Sequence, residues 1–293
     1  MGLKPSYTWH DGFAMPMGFA HEAFRSALEY PAEPSDFFIA TYPKCGTTWA
    51  QNIVYLIAHC GVPLPATNAM AEFIPHLEEI GARAAIRQPS PRYLKTHLPF
   101  GMTPYHEQAR YLYVARNPFD CVVSFYHHTR GFVRHYDFAE GRFDEFFECF
   151  LAGEVDFGDY FDSLLSWYEH AEDGNVLFLS YESMGADPRA AVMRIARYMG
   201  AERIADESVL SAILQHSSFT SMSRDQQRWS SRRPDDMPAF IRKGVVGDWV
   251  NYFVPSQVSR LLEKFDERCE GTGVEALWPD VIAEARRFAR NTQ

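Results

Sequence analysis

Phe37-Phe38-Ile39-Ala40-Thr41-Tyr42-Pro43-Lys44-Cys45-Gly46-Thr47-Thr48-Trp49 is the stretch on which the rest of the chain is organised. Its first residues read as a buried strand, and Pro43 and Gly46 mark a tight loop. Beyond the loop, Trp49, Ile53, Leu56, Ile57 and Cys60 recur at helical spacing, and Gly61 supplies a stop. Strand, glycine loop and helix in that order meet the requirements for holding a phosphate or sulfate. The glycine lets backbone N–H groups turn inward, and the helix N-terminus adds partial positive charge. Lys44 adds a full charge, and Thr47 and Thr48 add hydroxyl donors. A Walker A loop places its lysine directly after its second glycine. Here Lys44 precedes Gly46, so the cation approaches from the strand side. The same periodicity also suits a plain crossover that binds nothing.

At 293 residues the chain has room for one large or two small domains. No repeat or low-complexity linker divides it, which predicts a single domain over 1–293. The net charge of −10 weighs against a nucleic-acid surface, which needs a basic footprint. It leaves room for a small anion wherever a few cations converge. No apolar run reaches the ~18 residues of a membrane span, and Met1-Gly2-Leu3-Lys4-Pro5-Ser6 lacks the apolar core of a signal peptide. The five cysteines are scattered, odd in number and in no metal-like pair. A reduced, cytoplasmic protein without a disulfide framework is expected.

Residues 1–35 are rich in aromatics and turns but show no clear period. They suit either a segment packed across the core or one wall of an apolar pocket. Residues 62–91 read as loop with short helical pieces. Arg92 to Pro99 reads as a strand running out into a loop, and Arg110 to Arg116 as a cleaner strand. Asn117 is then an N-cap with Pro118 at the first helical position, opening a helix to about His128. His127 and His128, at that helix's end, are expected on a solvated face. Phe stripes over 143–171 predict core helices, and Asn175 to Tyr181 another short strand. Pro188 opens a helix carrying Val192, Ile195 and Met199, with Gly200 at its end. Residues 217–250 form a long polar stretch with little periodicity, of the kind that is usually functional or disordered. Helices over 256–269 and from about 280 finish the chain. Strands alternating with helices predict an α/β fold: a central parallel sheet with helices on both faces and a P-loop-like strand–loop–helix unit. Ligands of such sheets bind at the carboxyl ends of the strands. Lys44, His97 and Arg116 each fall just after a strand, so the fold predicts that they converge.

Four separated motifs, in order, resemble the cytosolic sulfotransferase family. They are Tyr42 to Trp49, Lys95-Thr96-His97-Leu98-Pro99, Arg116-Asn117-Pro118 through Ser124, and Arg242-Lys243-Gly244 through Gly247-Asp248-Trp249. That family transfers a sulfuryl group from 3′-phosphoadenylyl sulfate (PAPS) to a hydroxyl or amine, leaving adenosine 3′,5′-bisphosphate (PAP). The resemblance implies that Lys44, Cys45, Gly46, Thr47, Thr48 and Trp49 surround the 5′-phosphate and bridging oxygen. It implies that Arg116, Ser124, Arg242, Lys243 and Gly244 surround the 3′-phosphate. Ser124 lies some two turns into the helix that follows Arg116, so both can face one ligand. Trp49 and Phe240 would flank the adenine and Tyr181 hydrogen-bond it. Ser217 and Phe219 would touch the nucleotide, Ser217 keeping the hydroxyl of the family's more usual Thr. His97 is the expected general base, its ordinary pKa near ~6.5 suiting proton removal at neutral pH. Lys44 would steady the leaving phosphate and Lys95 the sulfuryl oxygens, with no metal required.

The resemblance has departures. Cys45 stands where the family often has Ser. A helix N-terminus lowers a thiol pKa, although a packed thiol donating weakly to the donor suits the position better than redox control. In Ile74-Pro75-His76-Leu77-Glu78-Glu79, His76 and Glu79 occupy positions where the family often carries aromatics, and His128 likewise replaces a Phe. With Phe13, Met15, Phe19 and Tyr126 supplying an apolar wall, these predict a pocket for a small, amphiphilic, hydroxylated acceptor. Val250-Asn251-Tyr252-Phe253-Val254-Pro255 does not match the family's C-terminal dimer motif, so any dimer would form by another route. A nucleotide kinase with a P-loop is the competing enzyme class. It requires Mg²⁺ and a complete Walker A, and the placement of Lys44 counts against it. A nucleotide-binding relative without chemistry is the third class, one that could have lost Lys44 or His97.

Overall fold

The computed structural model describes residues 2–65, 69–201, 204, 206–229 and 237–290. Two short strands, β1 (Tyr7–His10) and β2 (Phe13–Pro16), form an antiparallel hairpin. Four strands then build one parallel sheet: β3 (Phe37–Thr41), β4 (Tyr93–Thr96), β5 (Arg110–Ala115) and β6 (Val176–Ser180), in the order β4-β3-β5-β6. β3 is the inner strand that carries the loop, and all five of its residues are buried.

That burial follows from cover on both faces. Phe38, Ala40, Leu94, Tyr111 and Tyr113 belong to one core and Phe37, Ile39, Leu112, Val114 and Leu179 to the other. This is the side-chain alternation of a strand, with both sides dry, as parallel sheets require. The first face is covered by helices Pro118–Gly131, Phe143–Ala152, Tyr160–Tyr168 and Pro255–Cys269. The second is covered by Thr47–Ala58, Pro188–Met199 and Glu207–Ser217.

The strands share one terminal edge. Ala40 pairs with Thr96, Thr41 with Val114, and Ala115 with Ser180. The residues that follow, Tyr42, His97, Arg116 and Tyr181, therefore leave the sheet side by side. Asn117 opens the next helix as expected. Its side chain accepts the Asp120 N–H at 2.9 Å, and its own amide donates to Glu182 Oε1 at 2.7 Å and Asp120 Oδ2 at 3.0 Å.

Three expectations need correction. The helix from Pro118 runs to Gly131, so His127 and His128 lie inside it. Both are half-buried, and His127 Nε2 lies 2.8 Å from the Tyr252 hydroxyl. Residues 1–35, read as lacking a period, hold the hairpin and the helix His21–Leu28. The 217–250 stretch, read as structureless, is partly helical: Glu207–Ser217 ends there, and Phe219–Ser223 and Gln226–Arg228 follow. Residues 230–236 of it lie outside the described residues. The part after them is tied down from both sides. Gln226 donates to the Ile241 carbonyl and accepts its N–H, and Asp120 accepts the N–H groups of Gly247 and Trp249. No helix among the described residues is long and apolar enough to cross a membrane.

Asn117 is wholly buried and its amide is fully used. Asn117→Ala removes a helix cap and one of the three hydrogen bonds that Glu182 accepts, those from the Asn117 backbone N–H and the Trp278 indole remaining, so it should lower stability by about 2 kcal/mol in urea denaturation. A change under about 0.5 kcal/mol would show that the cap contributes little.

Candidate active site

A cavity of about 1190 Å³ opens at the carboxyl edge of the sheet. That is room for a nucleotide and a second small molecule. Lys44, Lys95, His97, Arg116 and Ser124 all line it. The convergence predicted from strand ends is therefore present.

The loop after β3 forms its floor. Lys44 has a φ of 68° and Gly46 a φ of 99°, so two residues in three take left-handed backbone. For Lys44 this is strain of the kind stored at functional sites. For Gly46 the lack of a side chain is a spatial need as well, since a Cβ there would lie 2.8 Å from the Tyr181 ring. The helix Thr47–Ala58 starts directly after it, so its free N–H groups face the loop. Gly46, Thr47, Thr48 and Trp49 line the cavity. Trp49 meets Tyr181 edge to face at 5.4 Å. Cys45 does not line it. Its wholly buried thiol lies 3.7 Å from Cys121 Sγ, and burial, aided by Cys121, pushes its pKa well up. The expected lowering by the helix terminus is overridden, and the thiol faces the core rather than a ligand.

Arg116 and the 240s close the far end. Arg116 stacks over the Tyr181 ring at 4.4 Å and donates to the Lys44 carbonyl at 3.3 Å. Ser217, Phe219, Phe240, Arg242, Lys243 and Gly244 line the cavity with it. Lys44 Nζ sits 4.3 Å from the Phe240 ring centre. Asp248 holds Arg242 and Lys243, each at 2.6 Å. Its burial works against ionisation, but Lys243, Arg242 and Asn251 outweigh that and pull it down to about 2. Gly244 lies against Phe219, whose ring would be 2.3 Å from a Cβ there.

His97 sits where β4 ends. Its Nδ1 lies 2.7 Å from the Thr41 carbonyl. A carbonyl only accepts, so the proton is on Nδ1 and the Nε2 lone pair is free. Burial holds the imidazole well below the ordinary histidine range, and the charges of Lys95 and His76 add to the effect. Its backbone N–H donates to Glu78 Oε1 at 2.7 Å, which also accepts the Thr96 hydroxyl. Glu78 is wholly buried, which favours its neutral form, yet His76 and the N–H of His97 hold its pKa below the ordinary range. His76 lies 5.0 Å from His97, ring to ring, with Nδ1 3.4 Å from Lys95 Nζ and Nε2 3.5 Å from Glu78 Oε2. Burial also lowers the Lys95 pKa.

Phe19, His76, Glu79 and His128 line the cavity as the sequence suggested, but Phe13 and Tyr126 do not. Phe13 stacks on Phe24 at 5.8 Å and backs onto Phe157. Met15 is buried in the same cluster. Tyr126 turns into the core, with its hydroxyl on the Gly141 carbonyl at 3.1 Å. Sequence reasoning missed Thr41, Glu78 and Phe157. Thr41 and Glu78 act through contacts that no motif spells out. Phe157 lies in the Phe-rich run, whose members are mostly core. Its ring lies 4.9 Å from that of His97.

Comparisons with known proteins identify the family. Residues 34–273 match the Sulfotransferase domain family. Human Sulfotransferase 1C2 is 36% identical over 260 residues, covering 84% of this chain and 86% of that protein. Dog Sulfotransferase 1A1 is 32% identical over 290 residues, covering 92% and 95%. The crystal structure of mouse SULT7A1 complexed with PAP has a TM-score of 0.77 at 28% identity, covering 97% of this chain and 99% of that one.

Lys95 is a cause of the low His97 pKa. Lys95→Met should therefore raise it, which a histidine NMR titration of both proteins can follow. His97 of the wild type should stay neutral well below pH 6.5, and protonate at higher pH in the variant. An unchanged or lower midpoint would remove Lys95 from that role.

Proposed function

The chain belongs to the sulfotransferase family, and we propose that it moves the sulfuryl group of PAPS to a hydroxyl or amine of a small, amphiphilic acceptor. One observation carries the proposal. A histidine with a fixed tautomer and a free Nε2 shares a cavity with two lysines, and four further phosphate-type partners stand at the far end. The residues fit the donor in kind: a glycine loop at a helix N-terminus for one phosphate, and Arg116, Ser124, Arg242 and Lys243 for the other.

In this reading the donor is a substrate and supplies a mixed sulfate–phosphate anhydride. His97 Nε2 takes the acceptor proton as the acceptor oxygen forms its bond to sulfur and the bridging S–O bond breaks. The Thr41 carbonyl holds the imidazole in the tautomer that can do so. Lys95 steadies the sulfuryl oxygens, and Lys44, with the N–H groups of the loop, takes up charge on the departing phosphate. Trp49, Tyr181 and Phe219 flank the adenine, whereas Phe240, expected there too, lies 6.1 Å ring to ring from His128 and Phe132 and so stands on the acceptor side. Phe19, His76 and His128 face the acceptor. We read 1–293 as one sulfotransferase domain of the cytoplasm, with any dimer formed by a surface other than the family's C-terminal motif.

Thermal shift separates sulfuryl from phosphoryl chemistry. PAP without metal should raise the Tm by several degrees at about 100 times its Kd, where binding contributes about 2.7 kcal/mol. Stabilisation by ATP–Mg²⁺ alone would overturn the proposal. His97→Ala should cut turnover of labelled PAPS by at least about 100-fold while PAP affinity stays within about threefold. Near-full turnover in that variant would remove His97 as the base.

A further inference from the structure

We propose that Asp156 forms a subsite for a protonated amine, so that the preferred acceptor carries a cationic nitrogen as well as the group that receives the sulfuryl. The inference rests on the sulfuryl-transfer reading and names the acceptor class for it.

Asp156 lines the same cavity as His97 and is 1% exposed. Its Oδ2 accepts the Tyr136 hydroxyl at 2.9 Å, whereas Oδ1 is buried and accepts no hydrogen bond from any described residue. A buried carboxylate oxygen without a partner calls for an explanation, since such groups are nearly always satisfied. The groups that face it are the phenols of Tyr7, from β1, of Tyr136, from the helix Val133–Tyr136, and of Tyr42, just after β3. Phenols hydrogen-bond a carboxylate but do not neutralise it. Burial accordingly pushes Asp156 up to about 7.

The backbone links this carboxyl to His97 through one residue. The next residue, Phe157, has a φ of 64°, a left-handed conformation that a phenylalanine rarely adopts. Its N–H is fixed to the Ala14 carbonyl at 2.9 Å. That turn sets the Phe157 ring against His97 and Asp156 at the adjoining wall. Phe19, Phe132 and Tyr136 line the same end, and aromatic faces attract cations. Glu79 adds a second carboxylate at the rim, 59% exposed and 3.9 Å from His76 Nδ1. An ammonium neutralises Asp156 and takes up Oδ1. A neutral hydroxyl leaves the charge unmet, and an acidic acceptor is repelled.

The test compares 4-(2-aminoethyl)phenol with 4-ethylphenol, which differ only in the amine. With labelled PAPS at pH 7.5, the wild type should favour the amine at least tenfold in kcat/KM. Asp156→Asn, which keeps the shape and an acceptor for Tyr136, should lower that ratio below threefold. A wild type without the preference, or a variant that keeps it, overturns the proposal. Calorimetry gives a readout independent of turnover. Binding of 4-(2-aminoethyl)phenol to the intact protein at pH 7, with and without PAP, should release about half a proton, because Asp156 titrates near about 7 when free. Asp156→Asn should release none, and no release from the wild type overturns the proposal. Proton release with no transfer to either phenol would uphold the subsite and overturn the sulfuryl-transfer reading instead.

Discussion

Complete burial of β3 is the constraint on which the rest depends. Five consecutive residues, Phe37 to Thr41, have no face toward water. A strand in that position must be paired on both edges and covered on both sides. Parallel neighbours meet the first need, and helical crossovers meet the second. Parallel pairing then makes all four strands end at one edge. His97, Arg116 and Tyr181 gather there with the Lys44 loop because the register leaves them nowhere else.

The same edge concentrates backbone that the chain does not otherwise favour. Lys44, Gly46 and Phe157 all have positive φ and all line the cavity. Two are not glycines, so the surrounding packing must hold them. Phe157 is clamped by the Ala14 carbonyl on one side and by rings on the other, and the Tyr42 hydroxyl donates to the carbonyl of Gly158. Tyr42 follows β3 directly. The inner strand therefore anchors both the Lys44 loop and the turn that packs on His97.

Much of this was legible in the residues. The alternation of apolar strands with helical periods identified the parallel sheet. Asn117-Pro118 marked a helix start, and the strand-end positions of Lys44, His97 and Arg116 foretold their convergence. What escaped reading depends on distant partners. Cys45 reads as a packed thiol donating weakly to a donor, and it is packed, but on Cys121, far away in sequence, and away from the cavity. Phe13 and Tyr126 look no different from Phe19, since an aromatic in a wall and one behind it have the same composition. The 217–250 stretch lacks periodicity because its order comes from single side chains, Gln226 and Asp120, rather than from an apolar stripe. Glu78 is a carboxylate among several, and only its contacts show that it braces the segment carrying His97.

Electrostatics divides the cavity in a way that composition hides. The chain is acidic, with a net charge of −10. Yet Lys44, Arg116, Arg242 and Lys243 all line one cavity, and Asp248 restrains two of them. Cations held in a dry site act more strongly than the same charges in water. They also disfavour a further positive charge, so Lys95 helps to keep His97 neutral even as it stands beside it. Burial first, and then Lys95, His76 and Lys44, keep His97 neutral, the form that the proposed base requires. Burial alone depresses a histidine, but burial beside unpaired carboxylates would not. Glu78 escapes this conflict by spending its Oε1 on the Thr96 hydroxyl and the His97 N–H and setting Oε2 toward His76. The carboxylate thus braces the backbone at His97 without hydrogen-bonding the imidazole itself.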